Sequence, residues 1–326
     1  MRVEFYLDKE TLSDFCFCSE NNPAAHDLLL KTWHESGVFI LPKNRPEHIQ
    51  EVINAVPTKF KKRWQEALIK FPRSEVSHNI PYLSQLPNDV VVSQLSEDIK
   101  SLLVSSNIDY SFIGKDIEHK WVVDKKTEAV RASHITSSLL FNECAILREK
   151  QISANESPLQ IWNSRFDSLF KHEKNISIVD RYFAERIVES IKKGRPQNNS
   201  LYFLLNETMK YKSKYNISIF TDGKEKDGST HKIIFNFIQK NKNIFSNIAN
   251  FQFMSIRSIC FKESTHDRYI RIGNNLCDIG LGMEIFELEC NRRTSFSMKN
   301  ALNTDVFELE TKCRKDILWD ICSPLS

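Results

Sequence analysis

A histidine and an arginine stand two positions apart in the second half of the chain, within Thr265-His266-Asp267-Arg268-Tyr269. Residues two apart in a β-strand project to the same face, so His266 and Arg268 share a face if this stretch is extended. An imidazole can act as the nucleophile at a phosphodiester, and a guanidinium can hold its phosphate. The pattern therefore predicts a site directed at a phosphate group.

The residues that follow predict the element that carries this pair. Tyr269-Ile270-Arg271-Ile272 alternates in hydrophobicity, which indicates a strand. A turn at Gly273-Asn274 comes next, and Gly280 and Gly282 lie shortly after it. Glycines beside polar residues allow a backbone to approach an anionic ligand closely. We therefore expect Gly280, Gly282 and Asn274 to contribute to phosphate binding.

The spacing resembles that of phospholipase-D-type enzymes, which carry His-x-Lys, four residues, Asp, six residues and then Gly-Ser-x-Asn. His266, Arg268 and Gly280 fall on the histidine, the lysine and the glycine of that motif. The sequence His-Asp-Arg-x-Ile, followed later by Ile-Gly-x-Gly-x-Glu-Ile-Phe, is similar to one branch. That branch is the phospholipase-D-like C-terminal domain that follows the MIT module in some eukaryotic proteins, with its bacterial relatives. The resemblance covers roughly the last half of the chain.

The chain departs from the enzyme motif at three positions. Gly273 stands where the aspartate is expected, and Leu281 and Met283 replace the serine and the asparagine. The resemblance also implies that a strand ending in Asp-x-Tyr precedes the His-Asp-Arg strand, and Asp180 and Tyr182 match that pattern. A complete site of this superfamily needs two His-x-Lys units, and this chain offers one credible copy. We therefore predict a homodimer if the protein is catalytic.

Ligands of open α/β sheets collect at the carboxyl ends of strands, and the Asp180 and His266 segments both lie at predicted strand ends. We expect a shared pocket in which His266 is the nucleophile or general acid, while Arg268, Arg181 and Tyr182 hold the phosphate. Asp180 or Asp267 would orient the imidazole. The alternative is an ion-pair network that shapes the fold without binding a ligand.

Two functions follow from the resemblance. The first is a metal-independent phosphodiesterase that works through a phosphohistidine, which would suit a nuclease-type effector in bacterial defence against phage. The second is a catalytically inactive module that binds membrane lipid, nucleic acid or a protein partner, the last through the N-terminal domain. Neither function calls for a cofactor or a metal ion. A third alternative places a magnesium nuclease at the first strand, around Asp8 with Glu75, Asp89, Asp109, Asp116 and Asp124.

Strand and helix patterns alternate along the chain and predict an α/β protein of two domains. We expect an α/β domain over 1–152 and a phospholipase-D-like α/β sheet domain over 158–326, separated by a polar stretch. The N-terminal domain should open with a strand at Val3-Glu4-Phe5-Tyr6-Leu7 and a helix from Pro23 to near Gly37. A further helix is predicted from Ser96 to Leu103.

Composition narrows the class of protein. The net charge is +3, which argues against a polybasic binder of the histone type. The eight cysteines are scattered and predict reduced thiols in a cytoplasmic protein. Glycine numbers only 8 of 326 residues, and no glycine-rich phosphate loop is present. No apolar run reaches the ~18–20 residues of a membrane span.

Overall fold

The computed structural model describes residues 1–43, 45–77, 80, 82–83, 98–106, 120–123, 127–222, 228–262, 268–288 and 292–322. The chain divides into two compact units, Met1–Ile146 (unit 1) and Leu147–Ser326 (unit 2). Both contain strands and helices, so the predicted α/β class is confirmed. The predictions for Asp89, Asp109, Asp116 and Asp124 fall outside the described residues.

The described part of unit 1 forms a six-stranded sheet. Its strands are β1 (Val3–Tyr6), β2 (Gly37–Pro42), β3 (Arg73–Val76), β4 (Ser101–Val104), β5 (Lys120–Val123) and β6 (Thr127–Arg131). They lie in the order β3-β2-β1-β4-β6-β5. All neighbours are parallel except β5 and β6, which are antiparallel. Helices must cover such a sheet, because parallel strands are buried on both faces.

Helices of unit 1 pack on this sheet through aromatic side chains. They are α1 (Lys9–Leu12), α2 (Phe15–Cys18), α3 (Pro23–Ser36), α4 (His48–Ala55), α5 (Thr58–Lys70) and α6 (Leu139–Leu147). Trp33 of α3 meets Phe5 of β1 and Phe39 of β2 edge to face, with ring centroids 5.9 and 5.3 Å apart. Edge-to-face geometry favours such aromatic pairs. These contacts hold α3 on the sheet.

The predicted helix from Ser96 to Leu103 is wrong. Residues 98–100 are not helical, and Ser101–Val104 is strand β4 at the centre of the sheet. All four residues of β4 are buried. A short apolar run buried on both faces lacks the alternation that marks a half-exposed strand, so periodicity alone does not separate it from a helix.

The described part of unit 2 forms a seven-stranded mixed sheet. Its strands are β7 (Asn175–Asp180), β8 (Tyr215–Thr221), β9 (Ile248–Ile256), β10 (Arg268–Ile272), β11 (Asn275–Ile279), β12 (Phe296–Asn300) and β13 (Ile317–Cys322). They lie in the order β12-β11-β10-β7-β8-β9-β13. β7, β8 and β9 are parallel, while the remaining neighbours are antiparallel.

Helices connect the strands of unit 2. They are α7 (Pro158–Ile161), α8 (Asp167–His172), α9 (Phe183–Lys192), α10 (Ser200–Thr208), α11 (Ser229–Lys240), α12 (Ile259–Lys262) and α13 (Val306–Cys313), with a π-helical turn at Trp162–Phe166. Short 3-10 helices lie at Pro196–Asn198, Lys242–Phe245, Gly282–Phe286 and Ala301–Asn303. Ser157 and Gln160 form a capping box that starts α7.

One end of the unit 2 sheet gathers the segments singled out by the sequence. The parallel strands β7, β8 and β9 end there, β10 begins there because it runs antiparallel to β7, and β11 ends there. We call this end the site edge. Arg268 at the start of β10 is paired in register with Asp180 at the end of β7.

Candidate functional site

Asp180 is the buried centre of the site edge. Its side chain is 2% exposed and accepts two backbone N–H donors, from Tyr182 at 3.0 Å and from Met283 at 2.7 Å. Burial raises the pKa of Asp180 to about 6, although the two N–H groups and Arg268 act to lower it. Both carboxylate oxygens are therefore used to tie the turn after β7 to the 3-10 helix at Gly282–Phe286.

Arg268 projects its guanidinium beside this carboxylate, with which it interacts electrostatically. Nη1 donates to the Gly280 carbonyl at 2.7 Å, and the guanidinium carbon lies 4.9 Å from the centre of the Tyr182 ring. Nε is buried and has no hydrogen-bond acceptor among the described residues. A buried donor that lacks an acceptor costs free energy, so Arg268 is held at the site edge by its bond to Gly280 and by packing rather than by Nε.

Arg181 and Tyr182 stand next to Arg268. The Arg181 guanidinium lies 5.7 Å from the centre of the Tyr182 ring, and its Nε is 3.7 Å from the carboxylate of Asp222. Tyr182 thus has two guanidinium groups within cation–π distance while its side chain remains 40% exposed. The structure therefore brings the two predicted phosphate clamps together around one aromatic ring.

Gly282 is required by the packing of Asp180 and Arg268. Its φ is +59°, a conformation that glycine adopts without steric cost. A β-carbon at this position would lie 2.2 Å from Asp180 Oδ2 and 3.1 Å from Arg268 Cδ. Gly280 is constrained as well, because a β-carbon there would lie 2.6 Å from Ser295 Oγ. The predicted glycine pair belongs to the site edge, where it allows close packing.

Asn274 does not belong to this cluster. It lies in the turn between β10 and β11, at the opposite end of β10 from Arg268. Arg268 and Ile272 are four steps apart along the strand, which at ~3.4 Å per step is roughly 14 Å. The expectation that Asn274 binds the same phosphate is corrected by this register. Gly273 shares that turn with a φ of +56°, and its carbonyl accepts a hydrogen bond from Arg271.

Two predicted residues cannot be placed. His266 and Asp267 lie outside the described residues, immediately before Arg268 in the sequence. The assignment of His266 as nucleophile stays a prediction. The alternative role of Asp180, orienting the imidazole, competes with the two backbone N–H groups that its oxygens already accept.

Sequence reasoning missed an arginine–glutamate network behind the site edge. Glu284 is 5% exposed and forms ion pairs with both Arg186 of α9 and Arg292. Arg186 also pairs with Glu287 at 3.4 Å. Glu284 is the glutamate of the Ile-Gly-x-Gly-x-Glu-Ile-Phe motif, so the motif could have pointed to it. No comparable signal marked Arg186, since its role depends on how α9 packs.

The carboxylate that suggested a magnesium site lies two residues after the end of β1. Asp8 is fully buried and caps α1. Oδ1 accepts from Thr11 N at 3.1 Å and from Thr11 Oγ1 at 3.2 Å, and Oδ2 accepts from Leu83 N at 2.7 Å. Within the ranges that the structure covers, no group of three His, Cys, Asp or Glu side chains is placed to hold a metal ion. The geometry of Asp8 is that of a helix cap.

Comparisons with models of protein families, with curated proteins and with solved structures find no match for the chain. The likeness to the phospholipase-D-like domain therefore remains a prediction from the motif. Every helix in the described ranges is too short or too polar to cross a lipid bilayer.

Proposed function

We propose that unit 2 is a phospholipase-D-like domain that binds the phosphodiester backbone of a nucleic acid at the site edge. The observation that carries this proposal is the Arg268 guanidinium, which lies 4.9 Å from the centre of the Tyr182 ring, a side chain that is 40% exposed. Guanidinium groups recognise phosphate through charge-assisted, often bidentate hydrogen bonds. Arg181 adds a second cation on the same aromatic ring.

The exposed ring of Tyr182 favours nucleic acid over other phosphodiesters. Proteins that bind single strands combine cations that follow the backbone with aromatic rings on which bases stack. Tyr182 and Arg181 in the turn after β7, with Arg268 at the start of β10, supply both features at the site edge. Anionic lipid, which the resemblance also implies as a partner, has no base that could stack on the ring.

Cleavage of the bound phosphodiester is the second candidate. It is favoured by the position of His266, two residues before Arg268 in the sequence. Two observations give binding the greater weight: Met283, at the place of the motif asparagine, is fully buried, and both oxygens of Asp180 are occupied. Homodimer formation, a partner for unit 1, a cytoplasmic location and a role in defence against phage stay predictions.

Fluorescence anisotropy with a labelled single-stranded oligonucleotide tests the binding proposal. We expect Arg268→Gln and Arg181→Gln each to weaken binding by about tenfold, which corresponds to roughly 1.4 kcal/mol per lost charge-assisted contact. Lys299→Gln is the matched control, because Lys299 is half-exposed on β12 of the same sheet and pairs with Asp278 at 3.2 Å. Equal loss in all three variants would reject the assignment. Selective binding to anionic vesicles would reassign the site to lipid.

Incubation with single- and double-stranded DNA and RNA, with and without EDTA, tests cleavage. A metal-independent phosphodiesterase should keep its activity in EDTA and lose it in His266→Ala. Activity that persists in His266→Ala would remove the histidine from the mechanism. Activity that EDTA abolishes would point instead to a metal-dependent site.

A further inference from the structure

The amino ends of the three parallel strands of unit 2 carry a dense set of lysines. We call this end, opposite the site edge, the lysine edge, and define it by the segments 167–175, 207–216 and 240–250 that lead into β7, β8 and β9. Besides one histidine, its ionisable groups of acid or base type are seven lysines and three carboxylates: Lys171, Lys174, Lys210, Lys212, Lys214, Lys240, Lys242, Asp167, Glu173 and Glu207. Seven positive and three negative charges leave an excess of +4, whereas the whole chain carries +3. The net positive charge of the chain is therefore carried by this edge.

Pairing of the strands brings the three segments side by side. β8 lies between β7 and β9 and runs parallel to both. The Asn216 N–H donates to the Lys174 carbonyl, and the Tyr215 N–H donates to the Asn247 carbonyl, each at 2.8 Å. Neighbouring strands lie ~4.8 Å apart, so the backbones of the three segments form one surface roughly 10 Å across.

Four of the lysines keep their charge without a carboxylate partner. Lys174, Lys212 and Lys240 are exposed and form no ion pair with a described residue. The Lys214 ammonium donates to the Ser246 carbonyl, a neutral acceptor that leaves its charge uncompensated. Charges of one sign gathered on a surface create a potential that attracts ligands of the opposite sign. The lysine edge is therefore complementary to a polyanion.

Helix ends explain only part of this charge. Cations stabilise the C-terminal turn of a helix, and Lys171 and Lys240 lie in the last turns of α8 and α11. Lys174, Lys212 and Lys214 lie beyond the helix ends, in the connections to β7 and β8. The effect of a helix dipole falls off within one turn, so it does not account for these three lysines.

Exposed amides lie among the lysines. Four asparagines of these segments are exposed: Asn175, Asn216, Asn243 and Asn250. Asn216 Nδ2 donates to Asn175 Oδ1 at 2.8 Å, which links the amides of β7 and β8. Lysine and asparagine side chains are among the groups that contact the phosphates and sugars of nucleic acids, and such contacts carry no sequence information.

The rings and apolar side chains of these segments favour a duplex over the alternatives. No aromatic ring is exposed in them, since Phe170 and Tyr215 are buried and Tyr211 and Phe245 are half-buried. Single-strand binding uses exposed rings on which bases stack, whereas the bases of a duplex stack on one another. Among the large apolar side chains of these segments only Met209 is exposed, which disfavours insertion into a lipid bilayer.

We propose that the lysine edge binds the phosphate backbone of duplex nucleic acid without reading its sequence. The four lysines without a carboxylate partner contact phosphates, and the exposed asparagines add hydrogen bonds. Asn175 and Asp180 are five steps apart along β7, which at ~3.3 Å per step is roughly 17 Å. The lysine edge and the site edge are thus separate surfaces, and this proposal does not depend on the one made for the site edge.

The salt dependence of binding to a short labelled DNA duplex, measured by fluorescence anisotropy on the full chain, tests this proposal. Each phosphate held by a cation adds roughly 0.9 to the magnitude of the slope of log affinity against log salt, so four lysines predict about 3.6. The triple variant Lys174→Gln, Lys212→Gln, Lys240→Gln should lower this magnitude to about 0.9. Its three side chains are exposed, so the variant should fold normally, which thermal unfolding checks.

The matched control is the triple variant Lys192→Gln, Lys193→Gln, Lys299→Gln. It removes the same charge from exposed positions of unit 2 outside the lysine edge and should keep the slope of the natural chain. Arg268→Gln should keep that slope as well, which separates this test from that of the site edge. Equal loss in the two triple variants, or no duplex binding at low salt, would overturn the proposal. Binding to phosphatidylserine vesicles in place of duplex, lost in the lysine-edge variant, would overturn it in favour of a membrane surface.

Discussion

Asp180, Arg268 and Gly282 fix one another's positions at the site edge. The carboxylate of Asp180 holds the Met283 N–H, which places Gly282 against both side chains. The absent side chain of Gly282 is thus as important to the geometry as the two charged groups. At the residue scale, the site depends on close packing around a buried carboxylate.

Replacing Gly282 by alanine should destabilise unit 2 by roughly 2–4 kcal/mol. The positive φ alone costs an alanine about 1–2 kcal/mol, and the contact with Asp180 must also be relieved. Gly194→Ala is the control, since Gly194 has a φ of +73° but nothing within 4 Å of the added carbon. Denaturant unfolding should show a loss of only about 1 kcal/mol there. Similar losses in both variants would refute the packing argument.

The raised pKa of Asp180 predicts a specific pH dependence. A carboxyl whose pKa is higher in the folded chain binds more protons when folded, so its contribution to stability is fully present below its unfolded pKa of 3.8. That contribution is lost as the pH rises through about 6. The free energy of unfolding of Asp180→Asn, relative to that of the natural chain, should therefore rise by roughly 2–3 kcal/mol between pH 4 and pH 7.

Unfolding free energies measured at each pH check this expectation. Asp27→Asn, at a side chain that is 53% exposed, controls for the loss of one carboxylate. If the difference in unfolding free energy between Asp180→Asn and the natural chain stayed constant from pH 4 to pH 7, the raised pKa of Asp180 would be contradicted.

At the scale of elements, the end of β8 fixes the start of α9. Thr221 is fully buried, and its hydroxyl accepts from the Ala184 N–H at 3.0 Å and donates to the Arg181 carbonyl at 3.3 Å. Thr221 therefore ties the turn that carries Arg181 and Tyr182 to the start of α9, together with the Asp222 N–H, which donates to the Arg181 carbonyl at 3.1 Å.

Thr221→Val should destabilise the protein by roughly 1–3 kcal/mol, because it leaves the buried Ala184 N–H without its acceptor. Oligonucleotide binding should weaken as well, since the Arg181 carbonyl loses one of the two hydrogen bonds that it accepts. Thr311→Val on α13 is the matched control, as the Thr311 hydroxyl bonds to Phe307 at an exposed position. Its effect should stay within about 0.5 kcal/mol. Unaltered stability of Thr221→Val in thermal unfolding would show that the turn does not depend on this hydroxyl.

The hydrophobic periodicity and the turn residues of the sequence predicted much of the fold and part of the site. The Asp180 strand, the Arg268 strand and the glycine pair were all visible as periodicity and turn residues, and the structure brings them to one edge. Asn274 was misplaced because motif spacing counts residues along the chain, whereas an antiparallel hairpin separates the two ends of β10. The hydrogen bond from the Met283 N–H to Asp180 could not be predicted, because every residue except proline has a backbone N–H and the residue type therefore does not identify the donor.

At the scale of the whole molecule, the two units have separate cores. The unit 1 cluster around Tyr6, Ile40 and Leu102 lies on its own sheet, and the unit 2 cluster around Val179, Phe220 and Tyr269 lies on another. A destabilising change in one unit should therefore be felt first in that unit.

Asp8→Ala tests this separation. The variant removes the cap of α1 and leaves the Leu83 N–H without its acceptor, at a cost of roughly 2–4 kcal/mol. Hydrogen exchange read by mass spectrometry should show lost protection in β1 and β4 and unchanged protection in β7 and β10. Equal loss in both units would indicate one cooperative body.

The salt dependence of oligonucleotide binding tests the central claim most directly. Each phosphate held by a cation adds roughly 0.7 to the slope of log affinity against log salt for a single strand. Arg268→Gln should lower that slope by about 0.7 relative to the natural chain. Lys299→Gln should leave the slope unchanged. Identical slopes for the natural chain and Arg268→Gln would show that the Arg268 guanidinium holds no phosphate.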